Sequence, residues 1–165
     1  MQLSDAFKVG MRRFATGVTV VTTMAGGRPH GFTANAFCSV SVDPPLLLVC
    51  VNQSALSHAL IAQAGVFCVN ILALPQQTVA ERFASRGDAD RRFEDLAWHR
   101  SADGAPVLDS ALAHFDCVLS EHHAAGSHTV FIGRVVDCSV NGGTPLGYFD
   151  GSYRDFGCKS EQLAG

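Results

Sequence analysis

Apolar and β-branched residues in this chain come in short runs, each closed by a turn signal, and this segmentation restricts the fold more than any other feature. Val18-Thr19-Val20-Val21-Thr22-Thr23 has the composition of a strand and turns at Gly26-Gly27. Extended structure resumes over Gly31 to Ser41, and the Asp43-Pro44-Pro45 break starts a buried strand from Leu46 to Asn52. Further strands are expected at Val66 to Leu72, Ala113 to His122 and Thr129 to Val140, with a hairpin-like pair over Pro145 to Phe156. Helical spacing is confined to three short stretches. Ser4 is expected to cap a first helix with Phe7, Met11 and Phe14 on one face, ended by Gly17. Ser54 is expected to open a second, with Leu56, Leu60 and Ile61 inward and Gly65 closing it. Pro75 suits the first turn of a third, which carries Val79, Ala80 and Phe83 on one side. Ser85 to Asp109 is polar and irregular and predicts a surface excursion. About seven strands joined by tight turns, with helices only in connections, predict a mainly β protein built on an antiparallel closed barrel.

At 165 residues, with no linker or repeat, residues 1–165 form a single domain. Hydrophobic residues make up 47% and charged residues 16%, a balance that excludes disorder. So low a charge share predicts apolar surface covered by a partner, most simply in a homodimer. The net charge of -3 gives no broad attraction to nucleic acid or to a membrane surface. Met1 to Asp5 lacks the basic and apolar regions of a signal peptide, and Pro44 to Val51 is too short to span a bilayer, so a cytoplasmic protein is expected. Of the six cysteines (Cys38, Cys50, Cys68, Cys117, Cys138, Cys158), none forms a Cys-x-x-Cys pair and four lie in apolar runs. Reduced core thiols are the expectation, with no metal site.

Neither a Gly-x-Gly-x-x-Gly turn nor a Gly-x-x-x-x-Gly-Lys loop is present, and there is no Gly-x-Ser-x-Gly or His-Glu-x-x-His. Four segments remain as carriers of chemistry. Gly31 to Ser41 is dense in small and hydroxyl residues, which suits a flat polar ring as well as an ordinary sheet edge. At Cys50 to Ser57 a buried strand runs into a helix start, where free N–H groups and the hydroxyls of Ser54 and Ser57 could seat a phosphate or simply cap the helix. Gly126 to Val135 places His128 where a loop meets a long strand; His is the side chain whose charge changes near neutral pH. In Pro145 to Phe156, aromatic residues flank a turn and could wall a planar ligand or close a barrel end.

In their order these segments resemble the flavin reductase family of split-barrel proteins, the small partners of two-component flavin-dependent monooxygenases. The likeness begins at Phe14-Ala15-Thr16-Gly17-Val18-Thr19-Val20-Val21-Thr22 and continues through Gly31 to Ala36, Ser39-Val40-Ser41 and Pro44-Pro45-Leu46. It passes Phe67 to Leu72 and Arg82-Phe83-Ala84 and ends in the His128 strand and the Tyr148 to Phe156 tail. The family usually reads Gly-Asp-His before the long strand, whereas this chain has Gly126-Ser127-His128.

The resemblance implies an FMN-binding split β-barrel, Greek-key-like and antiparallel, that is homodimeric and passes hydride from NADH or NADPH to FMN or FAD. Reduced flavin would go to a partner monooxygenase. By resemblance, Thr33, Ala34, Asn35, Ala36, Cys38 and Ser39 hold the isoalloxazine. Cys50, Val51, Asn52, Gln53, Ser54 and Ser57 hold the ribityl chain and phosphate. Phe83 and Arg86 approach the phosphate or the adenine side, and His128, Tyr148 and Tyr153 line the nicotinamide side, with His128 the catalytic residue. Without the acidic neighbour, His128 is expected to position more than to protonate. Competing readings are a split-barrel flavoprotein acting on a corrin or pyridoxine-type ligand, or a non-catalytic flavin- or haem-binding module. A zinc site from His114, His122, His123 and His128 is disfavoured, because strand alternation sends His122 and His123 to opposite faces.

Overall fold

The structure, a computed structural model, describes residues 1–157 except Arg86 and Asp88, with the backbone alone at Asp90. The roles expected of Arg86 and Cys158 therefore lie outside the described residues. A helix, α1 (Leu3–Met11), leads into a short strand, β1 (Thr16–Gly17). Next come β2 (Thr19–Ala25), β3 (Arg28–Ala34), β4 (Phe37–Val42) and β5 (Pro45–Asn52), then α2 (Leu56–Ala64) and β6 (Val66–Ile71). A 3-10 turn at Leu74–Gln76 opens α3 (Gln77–Ala84). A small hairpin, β7 (Trp98–Arg100) and β8 (Pro106–Leu108), precedes the long strands β9 (Ala113–Ala125) and β10 (His128–Val140). The described chain ends with β11 (Leu146–Phe149) and β12 (Ser152–Asp155).

Seven strands form one antiparallel sheet in the order β3-β2-β6-β9-β10-β5-β4. The edge strands β3 and β4 are consecutive in the chain, joined only by Asn35 and Ala36. Laid flat, seven strands would separate those edges by about 29 Å, whereas three peptide steps reach only about 11 Å. The sheet therefore curls until its edges approach, and it stays unpaired between them. That is a barrel split at the β3–β4 link.

Alternation sorts the strands' side chains onto two faces. Val21, Val49, Val51, Phe67, Val69 and Phe131 fill the barrel, with Ile61 of α2 packed among them. Gly133 lets β10 approach this core, since a Cβ there would lie 2.5 Å from Phe67 and 2.8 Å from Cys117. On the outer face Val18, Val20 and Leu72 pack under Ala80 and Phe83 of α3 and against Phe93, Leu108 and Leu146. The β2–β3 turn at Gly26-Gly27 takes left-handed φ values of 57° and 76°, as a tight hairpin requires.

Several local expectations are corrected. The described residues form twelve strands rather than about seven: the stretch expected over Gly31 to Ser41 divides into β3 and β4, and β1, β7 and β8 are short additions. Ser4 lies inside α1, whose N-cap is Gln2, and the helix stops at Met11 rather than Gly17. Thr16 and Gly17 are instead drawn into pairing with Tyr148 and Gly147. The α1 face that carries Phe7 and Met11, with Phe14 just beyond the helix, buries nothing: these side chains are 66%, 53% and 67% exposed. Ser54 does not open α2, because its N–H and its hydroxyl both donate to Asn52 Oδ1, at 2.9 and 2.8 Å. That local turn delays the helix to an N-cap at Ala55, and Leu56 faces out.

The 85–109 excursion is not purely surface. It supplies the buried Phe93, Ala105, Val107 and Leu108, and Arg92 Nη1 donates to Gly31 O at 2.7 Å. Buried Asn70 accepts from the Leu108 N–H at 2.8 Å and donates to Val20 O at 3.1 Å, tying the hairpin to the sheet. The described cysteines are free thiols, but only Cys68 and Cys117 are buried.

Candidate functional site

The split in the barrel is also where the molecule is hollow. Four adjoining cavities open around the β3–β4 link, and Asn35 lines all of them. The first, about 180 Å³, lies between Thr33 and Ala34 on one side and Tyr148 and Tyr153 on the other. The second, about 310 Å³, runs under the apolar side of α1 between Phe7 and Tyr148. The third, about 340 Å³, is lined by Met11, Phe14, Thr16, Ala36, Cys38 and Cys50. The fourth, also about 340 Å³, extends from Phe14 and Thr16 toward Thr19 and Ile71.

Of the residues expected at the isoalloxazine, Thr33, Ala34, Asn35, Ala36 and Cys38 line this groove. Thr33 does so without a free hydroxyl proton, since its Oγ1 donates to Ala80 O at 2.6 Å. The Cys50 N–H donates to Ala36 O at 3.0 Å, which fixes the link against β5. Ser39 follows on β4, exposed and lining none of the four cavities. The tyrosines stand edge to face with ring centroids 5.5 Å apart. Burial pushes the Tyr153 hydroxyl pKa up, with Glu81 adding to the shift.

Asn52, Gln53 and Ser54 sit exposed at the end of β5 beside the start of α2, and Asn52 pairs in register with His128. The Gln53 N–H donates to Ser127 O at 3.0 Å, and its side-chain amide donates to His128 O at 3.2 Å. His128 Nδ1 lies 2.9 Å from Ser127 Oγ, so the serine hydroxyl holds the ring where a carboxylate was expected from the family pattern. Within one chain His128 lines none of the cavities that hold Tyr148 and Tyr153.

Three expected contacts are core instead. Phe83 is 1% exposed and lies beneath Gly31, where a Cβ would meet its ring at 2.7 Å. Val51 points into the barrel. Ser57 is buried with its Oγ 2.9 Å from His30 Nε2, which takes up the hydroxyl meant for a phosphate. Conversely, Met11, Phe14, Thr16 and Phe37 line the groove without having been singled out. Thr16 and Phe14 lie in the opening motif, and Met11 and Phe14 belong to the stripe expected on one face of the first helix.

The donor set fits a flavin. Apolar and aromatic side chains wall the groove, small residues line its Asn35 side, and Thr16 Oγ1 is buried with no hydrogen-bond partner among the described residues. A planar ring with apolar faces and a polar edge matches such a surface.

A family model described as flavin reductase like domain matches residues 11–157. The chain belongs to this family. It is 41% identical to the flavin-dependent monooxygenase reductase subunit HsaB of Rhodococcus jostii over 89% of this chain and 75% of that protein. With the NADH-dependent FMN reductase RutF of Agrobacterium fabrum it shares 39% identity over 93% of this chain and 88% of the relative. Among solved structures, the NADH:FAD oxidoreductase SgcE6 of Streptomyces globisporus, in complex with NAD and FAD fragments, superposes with a TM-score of 0.89 at 32% identity, covering 96% of each chain. The split barrel is the fold of these flavin reductases. The family's activity is oxidoreduction between reduced nicotinamide and flavin, and this chain is a flavin reductase.

Proposed function

We propose that the chain works as a homodimer that reduces FMN or FAD with NADH, or with NADPH, at the β3–β4 split and hands the reduced flavin to a flavin-dependent monooxygenase. The observation that carries this reading is the continuous groove centred on Asn35, walled by Phe14, Phe37 and Tyr148 and edged by the backbone of residues 33–36. Bound there, flavin supplies a ring that accepts hydride from reduced nicotinamide.

The chain's own contribution is position. Residues 33–36 hold the polar edge of the ring, and Phe14 and Tyr148 cover its faces. Asn52, Gln53 and Ser54, beside the first-turn N–H groups of α2, are the seat for the phosphate. In the homodimer, His128, steadied by Ser127, and the two tyrosines would together orient the nicotinamide, so that the two rings meet as if in one molecule. No protein nucleophile takes part.

Two features support a second copy. Val42 and Val140 are 92% and 78% exposed, a surface that dimerisation would cover. A partner would also wall the groove where α1 leaves it open. We place the enzyme in the cytoplasm; no helix among the described residues is long and apolar enough to cross a membrane.

Anaerobic titration of the protein and each flavin with NADH and then NADPH tests the activity. Bleaching of the flavin absorbance at catalytic protein concentration is expected, and no rate above buffer with either flavin would overturn the reading.

A further inference from the structure

Two thiols in the groove, expected by resemblance to contact the flavin, have no redox part in the chemistry described so far. Cys38 pairs in register with Leu48, and Cys50 lies two residues beyond Leu48 on β5, so both side chains leave the same face of the sheet. Both line the cavity of about 340 Å³ that also holds Met11, Asn35 and the unpartnered Thr16 hydroxyl. Cys38 is exposed and Cys50 half-buried, and the Cys38 thiol donates to Ser39 O at 3.1 Å. The remaining buried pair is of another kind. Cys68 and Cys117 are sealed at 0% exposure, and burial, with Asp116 adding, pushes both thiols up, Cys117 to about 12. Thiols held so are inert to oxidants.

We propose that Cys38 and Cys50 form an oxidation site for hydrogen peroxide made from the enzyme's own product, and that their oxidation shuts the flavin groove. This rests on the placement of flavin in that groove. When no oxygenase consumes it, reduced flavin gives two electrons and two protons to dioxygen, yielding oxidised flavin and hydrogen peroxide. A cavity thiol attacks one peroxide oxygen through its sulfur. The S–O bond forms, the O–O bond breaks, and the departing hydroxide takes the proton that the thiol gives up and becomes water. Sulfur is oxidised by two electrons to sulfenic acid and peroxide is reduced to water, so the step balances. The added oxygen occupies space and brings polarity beside Asn35 and Ala36, where the ring must lie. Turnover then falls when demand for reduced flavin falls.

The test begins with the untreated protein's flavin-dependent NADH oxidation, which reports on the reductase reading separately. The protein is then exposed to hydrogen peroxide with dimedone, with and without FMN, and each cysteine peptide is quantified by mass spectrometry. Dimedone adducts are expected on Cys38 and Cys50, with none on Cys68 or Cys117 in the folded protein. FMN at roughly ten times its Kd should lower labelling at Cys38 and Cys50 about tenfold and leave any labelling of exposed Cys138 unchanged. The double variant Cys38→Ser/Cys50→Ser should lose a smaller share of its own starting activity to peroxide than the wild type does. Labelling at Cys138 but not at Cys38 or Cys50, or labelling of the pair indifferent to FMN, would overturn the proposal.

Discussion

Asp116 is the residue whose environment is least expected from its neighbours in sequence. It lies near the start of β9 at 0% exposure, and among the described residues no group meets full hydrogen-bond geometry with either carboxyl oxygen. Burial raises its pKa, and the Asp103 and Asp137 carboxylates add to the rise; the Ser101 hydroxyl and the Asp103 backbone N–H oppose it without offsetting it. For an acid with a folded pKa above its unfolded value near 4, the folded state binds more protons, so stability falls as pH rises through that window. Asp116→Asn should therefore raise Tm at pH 8, with the gain shrinking toward pH 4. Thermal melts across that range check it, and a lower Tm at pH 8 would mean that the ionised carboxyl is stabilised where it lies. His128 makes a contrasting case at the surface. Its ring is held by Ser127 rather than by a carboxylate, so His128→Ala should raise the KM for NADH several-fold with little change in flavin affinity. Steady-state kinetics beside flavin titration separate the two; a loss of about 100-fold in kcat would mark a proton donor instead.

Among the elements, α2 and α1 deviate from their patterns in opposite ways. The polar residues ahead of α2 promised a cap, but Ser54 turns back onto Asn52 and leaves Ala55 at the N-cap with φ -78°, ψ 140° and no side-chain bond. That backbone suits an aspartate, so Ala55→Asp should stabilise the fold by about 0.5–2 kcal/mol in urea or thermal unfolding. In α1 the spacing of Phe7, Met11 and Phe14 is truly amphipathic, yet the face lies over the groove rather than the core. Phe14→Ala should then weaken flavin binding by about 1 kcal/mol, roughly fivefold, while Tm stays nearly unchanged because the ring is 67% exposed. A drop in Tm with unaltered flavin affinity would give Phe14 a structural role only.

For the whole molecule the open question is what covers the exposed valines of β4 and β10. Val42 stands at the end of an edge strand and Val140 at the end of the longest hairpin, and neither belongs to a core cluster of the described residues. If a second copy covers them, Val42→Glu with Val140→Glu should shift the light-scattering mass from twice the chain toward one, and flavin turnover should fall with it. A wild-type protein that is already monomeric at micromolar concentration and fully active would refute the dimer.

Much of the strand framework was legible residue by residue. The β-branched run at Val18 to Thr23, the Gly26-Gly27 turn, Gly65 at the close of α2 and Pro75 at the start of the 3-10 turn all act through local backbone preference, which a sequence carries directly. The ordered motifs from Phe14 to Phe156 carried the family as well. Other features depend on residues far apart in the chain. Phe83 reads as a helix residue near a ligand until Gly31, Phe93 and Val18 close over it. Ser57 reads as a phosphate donor until His30, on a strand far back in the chain, takes its hydroxyl. The groove itself exists because two edge strands are joined by Asn35 and Ala36 alone, which forces the sheet to curl and leaves its seam open. Propensity and alternation say which residues become strand and which face they share. Strand order and curvature, set by pairing over long distances, decide whether that face is core, surface or binding site.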